Sequence, residues 1–552
     1  MPLRNFMKKK GIKKILRFEK ITHKTKYFII VILVTLIGLW PFFRKGFFES
    51  HDGEWMIIRF TAFHQTLRSG QIPVRFVDRL NNNYGYPVLN FLYPLPFYFS
   101  ELPKIVGFNF TNSIKITFVI STLMSTVIMF WALSQTFSKE ASLAGSILYL
   151  FIPYRFVDLY VRGSLGENFA FAIVPLVLGF ILKLEKDNEI FLAPLALSIA
   201  LLILSHNVIA ALFIPVFLVL ILLKVKSKIK ALLSVIAGVA ISTFFWLPAI
   251  YDLQFVKYSQ VKISQISEHL VSFGDLILPR WGYGPRPQTT SGLSTQIGLV
   301  AIIVILTTAY LLIKKRKKSK VAWFLIILIF VSGFLMTKAS SWFWQNMPYV
   351  DVTQFPWRLL SVIVFASAFL TAKLVSLAKD NKFLVFFIIV ASFITTIFYT
   401  KPSNFIERPD SFYSTNESTT TVQDEYMPIW VKDKPQGRAN QKIEVANATL
   451  SQEIIKPTKY QSVVNAKKDT DVTVNSVYFP GWQAAIDGKP AAINYQNRNG
   501  LIDFKLPNGV HKVIIEYKNS GIHLVSEVIS ILALILTGIY FIYIRSQNTE
   551  NR

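Results

Sequence analysis

"IFLAPLALSIALLILSHNVIAALFIPVFLVLILL", residues 190–223, decides how this chain is laid out. Drawn as one helix it would run about 50 Å at 1.5 Å per residue. The hydrocarbon core of a bilayer is only about 30 Å thick and takes roughly 20 residues. At the midpoint stand Ser205, His206 and Asn207, three polar residues in an otherwise apolar run. A tight helical hairpin turning at this SHN triplet removes both difficulties and gives two spans, 190–205 and 206–223.

The rest of the chain reads in the same terms. Hydrophobic residues make up 52% and charged residues 16% of 552, against about 25% charged in soluble domains, and mean hydropathy is +0.42. The fold class is therefore mainly α, a polytopic membrane protein. Further apolar segments lie at 27–43, 113–136, 141–153, 169–184, 231–250, 296–313, 321–337, 358–378, 382–400 and 523–544, for about 12 transmembrane helices in all. The net charge of +27 would raise nucleic acid as a partner in a soluble protein. Here the excess gathers in short loops, "LKVKSKIK", "KKRKKSK" and "AKDNK", which mark the cytoplasmic side, so no nucleic acid is expected. Twelve spans with the N-terminus inside keep these loops on one face. The absence of cysteine excludes disulfides, thiolate metal sites and cysteine nucleophiles. No phosphate-cradling glycine loop, dinucleotide fingerprint or HExxH is present.

This layout gives a basic cytoplasmic N-terminus over 1–26, read as part of an uncleaved signal anchor. A transmembrane domain over 27–400 follows, with outer loops 44–112, 154–168, 251–295 and 338–357. An extracytoplasmic β-rich domain covers 401–522, then a last helix at 523–544 and a cytoplasmic tail, 545–552. The β-rich reading rests on period-2 stretches such as "DVTVNSVYF" and "VHKVIIEYK", broken by Pro480-Gly481, Asp487-Gly488 and Asn508-Gly509, a pattern of β-hairpins.

Polar residues worth chemistry gather in the predicted outer segments. "FFESHDGEWMIIRF", residues 47–60, sets Asp52 and Arg59 two turns apart on one face of a surface helix, with Glu54 opposite. Asp52 is either an N-cap or a reacting carboxylate. "NNNYGYPVLNFLYPLPFYFSELP", residues 81–103, carries too many prolines for one regular helix. It is either a tyrosine-anchored loop or the wall of a groove open to lipid. In "PYRFVDLYVRGSLGEN", residues 153–168, Arg155, Asp158 and Arg162 share a helical face, with Glu167 beyond. Such a row is a salt-bridged structural helix or a phosphate site. His206 and Asn207 face the same side by this topology. Arg358 in "TQFPWRLL" stands at the outer mouth of a span, snorkelling or contacting a phosphate.

"HDGEWMIIRF", "YRFVDLYVRGSLGENFAFAIVPL", "LSHN" and "QFPWRLL" resemble the bacterial membrane proteins labelled 6-pyruvoyl-tetrahydropterin synthase-related, which in turn resemble the GT-C superfamily of polytopic glycosyltransferases. The tail "YFPGWQAAIDGKPAAINYQNRNGLIDFKLPNGVHKVIIEYK" is similar to the C-terminal domain of YfhO-like membrane proteins. The likeness implies transfer of a sugar from a polyprenyl-phosphate-type donor to an envelope glycan, lipid or protein acceptor, at the outer face of the cell membrane. It implies an acidic residue in the first outer loop as base or metal ligand, and Asp52 is the matching position. It leaves open a divalent cation. Arg155, Arg162 and Arg358 would then be phosphate binders, with Arg59 there or paired to Asp52, and Asp158, Glu167, His206 and Asn207 beside them. A non-catalytic transporter or flippase, or an assembly scaffold for lipid-linked saccharides, is the alternative.

Overall fold

A computed structural model describes residues 23–186, 188–261, 265–346 and 353–550. Most of the basic N-terminus lies outside these. The chain is mainly helical, with a β-rich region near its C-terminal end. Each predicted apolar segment is helical, though 231–250 is split between two helices, Lys228–Ile241 and Thr243–Asp252. Six helices are long and apolar enough to cross a membrane, and eight spans result if each of two bent pairs counts as one. The pairs are Lys139–Leu150 with Pro153–Arg162, bent by 49°, and Lys228–Ile241 with Thr243–Phe255, bent by 63°. Four further apolar helices, Thr25–Gly38, Glu189–Ser205, Leu299–Lys314 and Lys320–Leu335, are shorter than the roughly 20 residues a span takes.

The turn at SHN is present. The helix Leu192–Ser205 ends at His206, whose extended backbone (φ −167°, ψ 112°) lets the helix Asn207–Lys224 start at once. The imidazole Nδ1 caps that second helix by accepting from the Ile209 N–H at 3.3 Å.

The segment 154–168 is not an open loop. It is helical apart from Gly163 and Ser164, and every residue in it is buried. The span count makes it an outer loop; in the structure Arg162 pairs with Asp158 and Glu167 inside the fold. The last helix likewise runs on from Gly521 to Glu550, so the predicted tail continues it.

Residues 443–517 form two antiparallel sheets, one of five strands and one of three. Their inward side chains, among them Tyr460, Val464, Val474, Phe504 and Ile515, share one core with side chains of residues 47–97. Of the three predicted turns only Asp487-Gly488 closes a hairpin, between Trp482–Ile486 and Lys489–Ala491. Both turn residues have positive φ, 50° and 81°, as a tight two-residue turn demands. Pro480-Gly481 and Asn508-Gly509 carry the chain from one sheet to the other. A two-stranded ribbon pairs Phe47 with Ile406 and Phe48 with Phe405, stitching the segment after the first helix to the start of the β-rich region. Behind it, Lys442 is buried between the Asp78 carboxylate and the Asn83 carbonyl, and the Tyr460 hydroxyl donates to the same carboxylate.

The helix Gly53–Arg68 does not lie bare on a surface. Met56 to Phe63 is buried throughout, because residues 408–420 pack across it. Arg79 donates to the Ser414 carbonyl and Thr61 to the Tyr413 carbonyl.

Candidate active site

Backbone pairing sets the site. The His51 and Asp52 N–H groups donate to the Val161 and Arg162 carbonyls at 3.0 and 2.8 Å. This lays the start of one helix against the end of another. The approach needs Gly163, at φ +63°: a Cβ there would stand 2.8 Å from the Gly53 nitrogen. Asp52 occupies the N-cap position, yet its side chain makes no cap hydrogen bond. The Ser50 hydroxyl takes that role, accepting from the Gly53 N–H at 3.1 Å. The Asp52 carboxylate is half-buried and has no hydrogen bond or ion pair among the described residues.

Around it the cations divide into committed and uncommitted. Arg162 is committed: its Nη1 donates to Asp158 Oδ1 at 2.8 Å and to Glu167, and its guanidinium lies 4.5 Å from the Trp357 ring centre. Glu167 also accepts from the Tyr154 hydroxyl at 2.6 Å. Among the described residues Arg358 has no carboxylate partner. Its Nη1 donates to the Thr353 carbonyl at 3.1 Å and to Gln354 Oε1 at 2.7 Å, while its Nε is unpaired. Asp52 is within electrostatic reach of both Arg162 and Arg358. The Tyr93 ring stacks on His206 at 4.9 Å and also senses Asp52. Since His206 Nδ1 accepts a hydrogen bond, the proton of the neutral ring sits on Nε2, which is left available.

Three predicted members have partners other than Asp52. Arg155 is fully buried in the helical bundle, donating to Ser125 and Asn168 at 3.1 and 3.4 Å with its guanidinium 3.9 Å from the Phe171 centre. The reason is local: Val157–Arg162 is a π-helix, whose wider turn moves the i+7 position off the face that α-helical spacing predicts. Asn207 is exposed, and its amide oxygen accepts from the neighbouring Val208 N–H. Arg59 does not pair with Asp52. Its Nε donates to Thr420 Oγ1 at 3.1 Å, and it binds the Thr420 carbonyl as well.

Glu54 points to the far side, held by Arg408 Nε at 3.0 Å and the Tyr413 hydroxyl at 3.1 Å. The donor set beside Asp52 is thus a single carboxylate, and among the described residues no three His, Cys, Asp or Glu side chains gather for a metal ion.

Spacing did not single out Tyr93, Trp357, Gln354 or His51. His51 was visible in the acidic stretch; its Nε2–H donates to the Tyr283 carbonyl at 2.7 Å, and burial lowers its basicity.

The fold and this buried charged cluster define a helical membrane protein. A model of the 6-pyruvoyl-tetrahydropterin synthase related domain, a membrane-protein family, matches residues 89–403, and the chain belongs to that family. An uncharacterized protein of Lactococcus lactis subsp. cremoris is 24% identical over 245 residues, 42% of this chain and 40% of its own length. The chain thus aligns with well under half of that relative. A cryo-EM structure of the arabinofuranosyltransferase AftD from Mycobacteria is similar at 14% identity and a TM-score of 0.42, over 68% of this chain and 27% of that one. A likeness of that size fixes neither a shared fold nor a shared activity.

Proposed function

We propose that this chain is a GT-C-like glycosyltransferase that moves a sugar from a polyprenyl-phosphate-type lipid to an envelope glycan, lipid or protein acceptor outside the cytoplasm. One observation carries the reading. The Asp52 carboxylate is claimed by neither cap nor ion pair, and it stands in the field of Arg358, a cation with no carboxylate partner among the described residues.

In this reading Asp52 takes the proton of the acceptor hydroxyl. The acceptor oxygen bonds to the anomeric carbon as the bond from that carbon to the phosphate oxygen breaks. Arg358, with the Nε2–H of His206, stabilises the charge that gathers on the departing phosphate. Arg162 acts at one remove: locked to Asp158 and Glu167, it fixes the local field and the backbone that holds Asp52. Arg59 ties the catalytic helix to residue 420. The aromatic segment 81–103, most of it buried, forms a wall of the site through Tyr93, and the β-rich region receives the acceptor. Twelve spans with the N-terminus inside would place this site outside the cell membrane.

Transfer of labelled sugar from polyprenyl phosphate by detergent-solubilised membranes tests the reading. Undiminished transfer by Asp52→Ala would refute it. A second reading, passage of a lipid-linked saccharide, is favoured by the buried polar seam of Ser121, Thr122, Ser125, Thr126 and Asn168 beside Arg155, two of whose guanidinium nitrogens are unpaired. Movement of the labelled lipid across the membrane without transfer would select it.

A further inference from the structure

A second candidate ligand site lies on the other side of Tyr283 from Asp52. The Tyr283 carbonyl accepts from His51, while its hydroxyl donates to the Lys401 carbonyl at 2.8 Å. Beyond it an open groove of about 380 Å³ lies between the end of the first helix and the start of the β-rich region. Trp40 and Arg44 form one wall. Phe398, Lys401, Ser403 and Phe405 form the other.

The cations here are unusual in having nothing to do. The Arg44 guanidinium lies 4.2 Å from the Phe405 ring centre, a stacking that orients it without using up its donors. Among the described residues neither Arg44, Lys45 nor Lys401 has a carboxylate partner, and all three are exposed. Lys115 fixes the loop from below through the Arg44 and Gly46 carbonyls. Trp40 is anchored by its indole N–H on Thr400 Oγ1 at 3.1 Å. The cations are therefore mounted on a braced frame.

The topology proposed above puts this groove on the outer face, where lysine and arginine are normally depleted. Two cations in the groove, Arg44 and Lys401, with no carboxylate partner among the described residues and Lys45 next to Arg44 in the chain, call for an anion. Immediately beside them Phe43 and Phe398 are 65% and 78% exposed, next to a half-exposed tryptophan of the kind that sits at the headgroup level. A soluble phosphate would use the cations and leave the aromatic rings idle. A lipid uses both.

We propose that this groove binds the phosphate of an anionic lipid, with the headgroup between Arg44 and Lys401 and the chain running over Phe43 and Phe398. It would hold a second lipid beside the Asp52 site. The proposal rests on the outward placement of the groove but not on Asp52 being catalytic.

The test is native mass spectrometry of the full-length protein released from detergent, titrated with phosphatidylglycerol against phosphatidylcholine. Wild type retains phosphatidylglycerol preferentially. Arg44→Ala and Lys401→Ala each weaken retention about fivefold, the usual effect of one cation near a lipid headgroup. Phe398→Ser weakens it too, and added inorganic phosphate does not displace it. Asp52→Ala leaves it unchanged, so loss of transfer and loss of this site are separately readable. Equal retention by wild type and both cation variants would overturn the proposal. Displacement by inorganic phosphate would overturn the lipid assignment and leave a phosphate site.

Discussion

Asp52 and Arg162 meet through backbone, not through charge. The Asp52 N–H donates to the Arg162 carbonyl at 2.8 Å, while the Arg162 guanidinium is taken by Asp158 and Glu167. The salt bridge that would have quenched the carboxylate is made elsewhere. Two different consequences of mutation separate from this arrangement.

Arg162→Ala leaves Asp158 and Glu167 as uncompensated buried carboxylates. Removing one partner of a buried pair costs about 3–5 kcal/mol, so the variant should melt far below wild type in detergent. Arg358→Ala removes a cation whose partners are a carbonyl and an amide. It should melt closer to wild type while losing roughly 10²–10³-fold in transfer rate, the usual cost of one charge-stabilising donor. Thermal melting beside initial rates checks both.

Gly163→Ala puts a methyl group 2.8 Å from the Gly53 nitrogen at a backbone φ of +63°. The left-handed conformation alone costs about 1–2 kcal/mol, and the contact adds to it. The variant should lose stability and transfer together, measured as melting and rate on one preparation. Gly488→Ala, at φ +81° in an open hairpin tip, should lose a little stability and keep its rate.

The buried Lys442 clamp predicts that the β-rich region is docked and not merely tethered. Asp78→Asn strips the charge that Lys442 faces, and a lone buried ammonium costs about 3–5 kcal/mol. Limited proteolysis should then cut within 401–522 at protease levels that leave wild type whole.

His51 gives a pH dependence. Burial lowers its folded-state basicity below the unfolded value of about 6.5. In the window below 6.5 the unfolded chain therefore binds more protons, so stability falls as pH falls through it. His51→Gln should flatten the melting-temperature profile between about pH 6.5 and 5, with wild type showing the steeper drop.

How much of this was legible in the sequence depends on the range of the interaction. The SHN turn could be read because an apolar run of that length fits no single span, and Asp487-Gly488 because its turn chemistry is local. The grouping of Arg155 with Arg162 failed because a π-helix carries no mark in residue type. Arg59 reads as a phosphate binder or a partner of Asp52, but its partner, Thr420, lies 361 positions away, and spacing has nothing to say about such contacts. Asn508-Gly509 was read as a hairpin because its dipeptide is the right one; which sheet receives each flanking strand is settled by the core those strands share.

The most direct test of the central claim is the rate of sugar transfer from a polyprenyl-phosphate donor by wild type and Asp52→Asn. The two are of equal size, and the carboxylate makes no structural hydrogen bond or ion pair among the described residues. Unchanged melting with a fall of about 10²–10⁴-fold in rate, the contribution of a general base, is the result predicted here. A rate within a factor of two of wild type (about 0.4 kcal/mol) would contradict it.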